Sequence, residues 1–426
     1  MKMRKTWVVA VATAAAATLA LSGCAGGSGE ADGNTLELWH NSTTGDGKAF
    51  WEEAGAAFEE EAGVHIDITS IQNEDMDGKL QTAVNSGDMP DLFMARGGGK
   101  LADIVDAGAV KDLSDLISED TKAAYGDAPF SAFTIEGAVY GVPVAVLPEG
   151  VFHSQDLFAE AGVEATPTTF DELNDVVDKL KDSGTEPIAL GAKDAWPAAH
   201  WYYSFALRAC GQETIENIAV DLDFSDGCWL QAAEDLEEFA ATEPFNEGFL
   251  TTSAQQGAGS SAGLLANHKA AMELMGGWNV GVIGGLTPDG EPLPDLGWFP
   301  LPATSGGEGD PTAMMGGVDG YACAADSPSS CEDFLNFLAT QEWQEKYAVA
   351  FNAVPASSDA QAAVTDPSLL PMMEAYNEAS YIVLYLDTLL GQNVGNALNT
   401  AVVEMLAGDG TPESLLDTVE QAAVRG

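Results

Sequence analysis

The sequence predicts an α/β protein of two doubly wound lobes joined by crossover hinge segments. Three features carry that prediction. A strand, a helix and a strand succeed one another within residues 35–68. An extended apolar stretch around residues 140–152 runs through Pro and Gly, and a second connector, rich in both, spans residues 286–309. Strand–helix–strand order favours parallel neighbours, and two connectors of that composition suit passages between lobes.

In chain order, Thr35 to Trp39 alternates as a strand does. Phe50, Ala54, Phe58 and Ala62, with Trp51, then repeat at helical spacing, and Val64, Ile66 and Ile68 alternate again. Met76, Leu80 and Val84 mark a second helix, Asp91 to Ala95 a buried strand, and Leu101, Ile104 and Val105 a third helix that stops at Gly108. Tyr140 to Val146 is extended and resumes at Val151-Phe152 beyond Pro148-Glu149-Gly150. Helices are expected at 168–183 and 229–241, a loop or cleft edge at 251–262, and a strand from Met314 to Ala324. A helix around Phe334–Ala350 and long helices near 370–377 and 393–407 finish the chain. The organisation expected is a leader over 1–23, a flexible tether over 24–33, a first lobe of 34–146 plus 302–347, and a second of 147–301 plus 348–426.

The leader has a basic start (Lys2, Arg4, Lys5) and an apolar run from Trp7 to Leu21, too short for a comfortable membrane span. It ends in Leu21-Ser22-Gly23-Cys24, the lipobox pattern, in which the cysteine receives a diacylglyceryl thioether. Cys24 is therefore the expected lipid anchor at the outer face of the cell membrane, followed by the tether Ala25-Gly26-Gly27-Ser28-Gly29. Removing the leader leaves 13 basic against 67 acidic side chains, a net charge of −54. That balance excludes nucleic acid and anionic membrane surfaces as partners. It fits a saline habitat or a coat that repels a polyanionic wall.

The four other cysteines suggest two disulfides in an oxidising setting. Cys210–Cys228 and Cys323–Cys331 are favoured, since each pair closes one short loop. With no C-x-x-C and five scattered histidines, no metal site and no cofactor are expected.

In doubly wound sheets, ligands lie beyond the carboxyl ends of strands. His40, Asn41, Arg96, Gly97 and Gly98 are candidates on that ground, with Lys100 either a contact or a helix-start charge. Gln72, Asn73 and Glu74 follow the second strand. The run Gly97-Gly98-Gly99-Lys100 is not a phosphate loop, because Met94 stands where the first glycine belongs and Leu101 where Ser or Thr belongs. Trp196, His200, Trp201 and Trp278 lie beside Gly, Pro or a strand end, where a ring can face a cleft. Gly317 and Asp319 follow the second connector and should border that cleft.

Gly87-Asp88-Met89-Pro90-Asp91-Leu92, Tyr140-Gly141-Val142-Pro143, Ala270-Ala271-Met272 leading to Gly277-Trp278, and Gly316 to Tyr321 occur, after a lipobox, in a telling order. The set resembles extracellular solute-binding lipoproteins of ABC sugar importers, in the carbohydrate-binding branch that includes maltose-binding protein. The likeness runs from about residue 34 to the end and implies a periplasmic-binding-protein-like fold of type II. It implies no enzyme activity, a monomer, an oligosaccharide ligand and permease subunits as partners. It also implies that Trp278 stacks on sugar, that Glu149 faces the cleft, and that the segment with Tyr385 and Asp387 returns to it. His153 stands where the family usually carries Tyr. Ile71 to Asp75, Arg96 to Lys100 and Tyr381 to Leu390 look most like actinobacterial binders of xylobiose and related β-xylo-oligosaccharides. The same scaffold with a cello-, chito- or malto-type sugar is the alternative. A secreted glycosidase is a rival from another class, but no pair of carboxylates stands out for it.

Overall fold

The computed structural model describes residues 34–425, apart from Thr44. The leader, Cys24 and the tether lie outside the described residues. Among those described, no helix is long and apolar enough to cross a membrane.

The first βαβ unit forms as its pattern requires. Strands β1 (Thr35–His40) and β2 (His65–Ser70) pair in parallel, with Leu36 opposite Ile66 and Leu38 opposite Ile68, and β3 (Leu92–Ala95) lies parallel on the other side of β1. Helix α1 (Gly45–Ala62) buries Phe50, Trp51, Ala54 and Phe58, and α2 (Asn73–Ser86) buries Met76, Leu80 and Ala83. Gly87 ends α2 at φ 74°, the left-handed geometry that lets its N–H cap the carbonyl of Ala83. Helix α3 (Gly98–Asp106) follows β3.

One mixed sheet continues through the molecule. Its further strands include β4 (Val142–Ser154), β5 (Glu186–Ile188), β6 (Ala270–Gly276), β7 (Leu296–Phe299) and β8 (Met314–Cys323). The order is β2-β1-β3-β8-β4-β6-β5, with β7 pairing on β4. Strand β4 is buried along its whole length and changes partner midway. Its first half runs antiparallel to β8 as far as Pro148, opposite Gly316. From Glu149, opposite Gly276, it pairs with β6. β7 lay hidden in the proline-rich connector, a four-residue strand preceded by Pro294 and followed by Pro300.

Buried apolar side chains fall into three clusters. The first draws on residues 36–147 and 321–356, the second on 151–315 and 383–422, and a smaller third includes Val146, Phe152, Val280, Trp298 and Met372. Helix α4 (Trp196–Ala209) runs through the second cluster and is buried on nearly every side, which explains why no amphipathic stripe betrayed it. The expected 334–350 helix is two, Ser330–Leu338 and Gln341–Phe351. Helix α5 (Gly391–Leu406) and a helix at Pro412–Arg425 close the chain. Both expected disulfides are present, Cys210–Cys228 and Cys323–Cys331, with Cα atoms 5.0 and 6.1 Å apart.

Candidate functional site

Where β4 changes partner, an aromatic corner is assembled at the junction of the three clusters. Strand β6 ends at Gly276, Gly277 follows, and the chain turns so that Trp278 folds back over Gly276. A Cβ on Gly276 would lie 2.5 Å from the Tyr385 hydroxyl and closer still to the Trp278 ring. Only glycine permits that approach. Tyr385 is anchored by a hydrogen bond from its hydroxyl to the Leu147 carbonyl (2.9 Å), and its ring meets Trp278 edge-on at 5.9 Å. Gly317 clears the other side, since a Cβ there would be 3.0 Å from the Tyr385 ring. His200 stacks on Tyr385 with centroids 4.4 Å apart, and Trp196, one turn earlier on α4, reaches Trp278 at 6.0 Å. Glu149, buried at the partner switch, bonds His200 Nδ1 through Oε1, while its Oε2 has no hydrogen-bond partner.

A polar row starts where β1, β2 and β3 end. Asn41 donates to Asn73 Oδ1 (3.2 Å), which also accepts from Arg96 (2.7 Å). Arg96 Nε donates to Asp77 (3.1 Å), Lys100 bridges Asp77 (3.1 Å) and Asp387 (3.3 Å), and Asn399 donates to Asp387 (3.3 Å). Asn399 also accepts from the Tyr203 hydroxyl on α4, so the row runs unbroken into the second cluster. Burial opposes ionisation of Asp77, yet Arg96 and Lys100 hold its carboxyl well below the usual carboxylate range. Asp319, at a bulge in β8, has burial push it up to about 6 against the pull of Arg96.

The structure thus brings together Asn41, Asn73, Arg96, Lys100 and Asp387 in one group, and Glu149, Trp196, His200, Trp278, Tyr385 and Gly317 in another. Other expected residues fall elsewhere. His40 is fully buried, with Nδ1 accepting from the Ser42 N–H (3.1 Å) and Nε2 bonded to Ser70 (3.1 Å). Burial lowers its pKa to about 4, so it is a neutral brace for the loop carrying Asn41. The Gly98 N–H is taken within the fold rather than offered to a cleft, and both Gly97 and Gly98 are closely packed. Gly98 donates to Ala132 (2.7 Å), a Cβ on Gly97 would sit 2.6 Å from that same carbonyl oxygen, and one on Gly98 2.8 Å from Leu384. Close packing is reason enough for glycine at both positions.

Trp201 is likewise a core residue, fully buried and stacked on Phe239. One position after His200, it points about 100° round the helix from the aromatic corner. His153 packs between Phe158 and Phe299, and burial lowers its pKa to about 4. Gln72 is exposed and donates to Thr43 (3.3 Å), while Glu74 accepts from Gln256 of the 251–262 loop (3.2 Å). Asp77, Tyr203 and Asn399 were missed. Asp77 had a signal: it lies four residues after Asn73, on the same helix face.

The bacterial extracellular solute-binding protein family model matches residues 40–345. The chain belongs to that family. It is 24% identical to an uncharacterized ABC transporter extracellular-binding protein of Pyrococcus horikoshii over 81% of this chain and 79% of the other. It is 25% identical to the melibiose/raffinose/stachyose-binding protein of Bacillus subtilis over 75% and 74%. Among solved structures, one from work on xylan utilization by the thermophile Caldanaerobius polysaccharolyticus superposes with TM-score 0.84 at 24% identity, covering 91% of this chain and 99% of that one. A chitin oligosaccharide binding protein gives 0.82 at 25%, covering 91% and 97%. The fold is accordingly the α/β, type II periplasmic-binding-protein-like arrangement expected from the sequence. This family member is an extracellular solute receptor.

Proposed function

We propose that the chain captures an oligosaccharide, xylobiose or a short β-xylo-oligosaccharide, in a cleft between two lobes and delivers it to an ABC permease while tethered through lipid on Cys24. The observation that carries the reading is the aromatic corner, where two glycines let Trp278 and Tyr385 pack beside His200, whose buried partner Glu149 keeps a free carboxylate oxygen. Planar rings cover the apolar C–H faces of a sugar, and fixed acceptors and donors take its hydroxyls. In the polar row, Asn41, Asn73 and Arg96 supply amide and guanidinium groups held by hydrogen bonds. Sugar touching both sides would favour the closed form by its differential affinity. The names of the Bacillus relative and the chitin oligosaccharide binder support a multi-ring ligand. The xylo preference rests on the sequence resemblance at 71–75, 96–100 and 381–390.

Calorimetric titration of the lipid-free protein with xylose, xylobiose, xylotriose, cellobiose, maltose and chitobiose tests this. Tight binding of xylobiose or xylotriose without hydrolysis is the expected result. Binding of chitobiose or maltose alone keeps the receptor and replaces the ligand. Hydrolysis of a bound sugar would make the protein a glycosidase instead.

A further inference from the structure

We propose that Asp156, His268 and Asp295 form a binding site for a divalent transition-metal ion of the Zn²⁺ type, on the second cluster's sheet and away from the aromatic corner. The three residues are far apart in sequence, but strand pairing delivers them to one place. β4 ends at Ser154, opposite Leu296, the first residue of β7, and His153 pairs with Met272 of β6. Asp156 therefore follows the end of β4, Asp295 precedes β7, and His268 precedes β6. One ligand atom from each residue lies within 4.8 Å of the others.

The local geometry suits an ion. His268 Nε2 hydrogen-bonds both carboxylate oxygens of Asp295 at 3.0 Å, a bond that an ion seated between them would replace. Donors each 2.0–2.2 Å from one metal stand roughly 3 Å apart at tetrahedral or octahedral angles. Asp295 is held from behind: Oδ2 accepts from the Ser154 hydroxyl and from the Asp156 N–H (3.3 Å), and its backbone carbonyl accepts from Gln155 (2.9 Å). Such outer contacts orient a ligand before the metal arrives. Two carboxylates alone would suit Ca²⁺ or Mg²⁺, whereas an imidazole beside them selects Zn²⁺ and its neighbours. An ion here also relieves the repulsion between Asp156 and Asp295 in a chain of net charge −51. It would staple three strands at the ends remote from Glu149 and Trp278, since β4 runs from Glu149 toward this site and β6 runs from it toward Trp278. Its role is to brace the sheet, without contact to sugar.

The test is calorimetric titration of the EDTA-stripped mature protein with ZnCl₂, repeated on His268→Ala and Asp156→Asn, with thermal unfolding and the Nε2 resonance of ¹⁵N-labelled histidine as further readouts. The proposal expects one site in the parent, a higher Tm with Zn²⁺, a shifted His268 resonance, and at least tenfold weaker binding in both variants. Sugar affinity should be the same with and without Zn²⁺, so failure here leaves the sugar-receptor reading untouched. Absence of binding, or equal Zn²⁺ affinity in the parent and His268→Ala, would overturn it, the latter assigning the ions to the acidic surface at large.

Discussion

The aromatic corner and the polar row hold their side chains by different means. In the corner, Trp278 and Tyr385 stand where glycines at 276 and 317 leave room, and little but packing and one hydrogen bond to Leu147 fixes them. In the row, every charged group already has an opposite charge or an amide: Arg96 on Asp77, Lys100 on Asp77 and Asp387, Asn399 on Asp387. Shape sets the first region and charge balance the second. Substitutions in the corner should therefore cost affinity more than stability, and those in the row the reverse.

The sharpest contrast is expected from Trp278→Ala, which removes the largest apolar surface of the corner. Sugar affinity should fall by about 3 kcal/mol, more than a hundredfold, with little change in Tm; a large drop in Tm with affinity kept would reverse the comparison. Arg96→Ala should do the opposite in the unfolding measurement. It leaves Asp77 with Lys100 alone, at a cost of about 2 kcal/mol, below that of a fully buried pair because both groups keep some exposure. Gly276→Ala tests shape without touching charge. The added methyl must displace the Trp278 ring and the Tyr385 hydroxyl, and calorimetry should show roughly tenfold weaker sugar binding, about 1.4 kcal/mol.

The smallest effect is one of pH. Asp77, held below its ordinary value of 3.8, contributes stability that is present above about pH 4 and is lost on further acidification. Glu273 is the counter-case: burial in β6, with Asn279 as a donor and no cation beside it among the described residues, pushes its carboxyl up to about 7. A carboxyl raised in the folded state binds more protons folded than unfolded, so stability falls as pH rises from about 4.5 toward 7. Urea titrations between pH 5 and 6.5 should show Glu273→Gln flattening that fall by about 1 kcal/mol per pH unit. An unchanged slope would mean that Glu273 has found a counter-charge.

Much of the frame was legible because it obeys simple periods. The alternation of β1 and β2, the helical spacing of Phe50, Trp51, Ala54 and Phe58, and the closeness in sequence of the cysteine pairs each had one cheap solution. The same period of two would have placed His40, since Leu36, Leu38 and His40 share the buried face of β1. Its position at a strand end drew it toward the ligand instead. Helix α4 could not be read that way, because a helix buried all round has no polar face to mark its turns. That hid the separation of Trp196 and His200 on one face from Trp201 on another. The glycines at 97–99 show a further limit. Sequence signals that a backbone must approach something closely, but not whether that something is a ligand or, as here, Ala132, Leu384 and Gly391.

Strand β4 is common to both halves of the sheet, and Glu149 sits at the point where its partner changes. If the proposed closure of the cleft turns about that point, it is a fulcrum. A swing of one half against the other displaces atoms in proportion to their distance from it, so Glu149 travels least and the rim pair Glu74 and Gln256, joined across the molecule at 3.2 Å, travels far more. Under that proposed closure, Glu149 would stay in register throughout the stroke, and the Glu74–Gln256 contact would form only near its end.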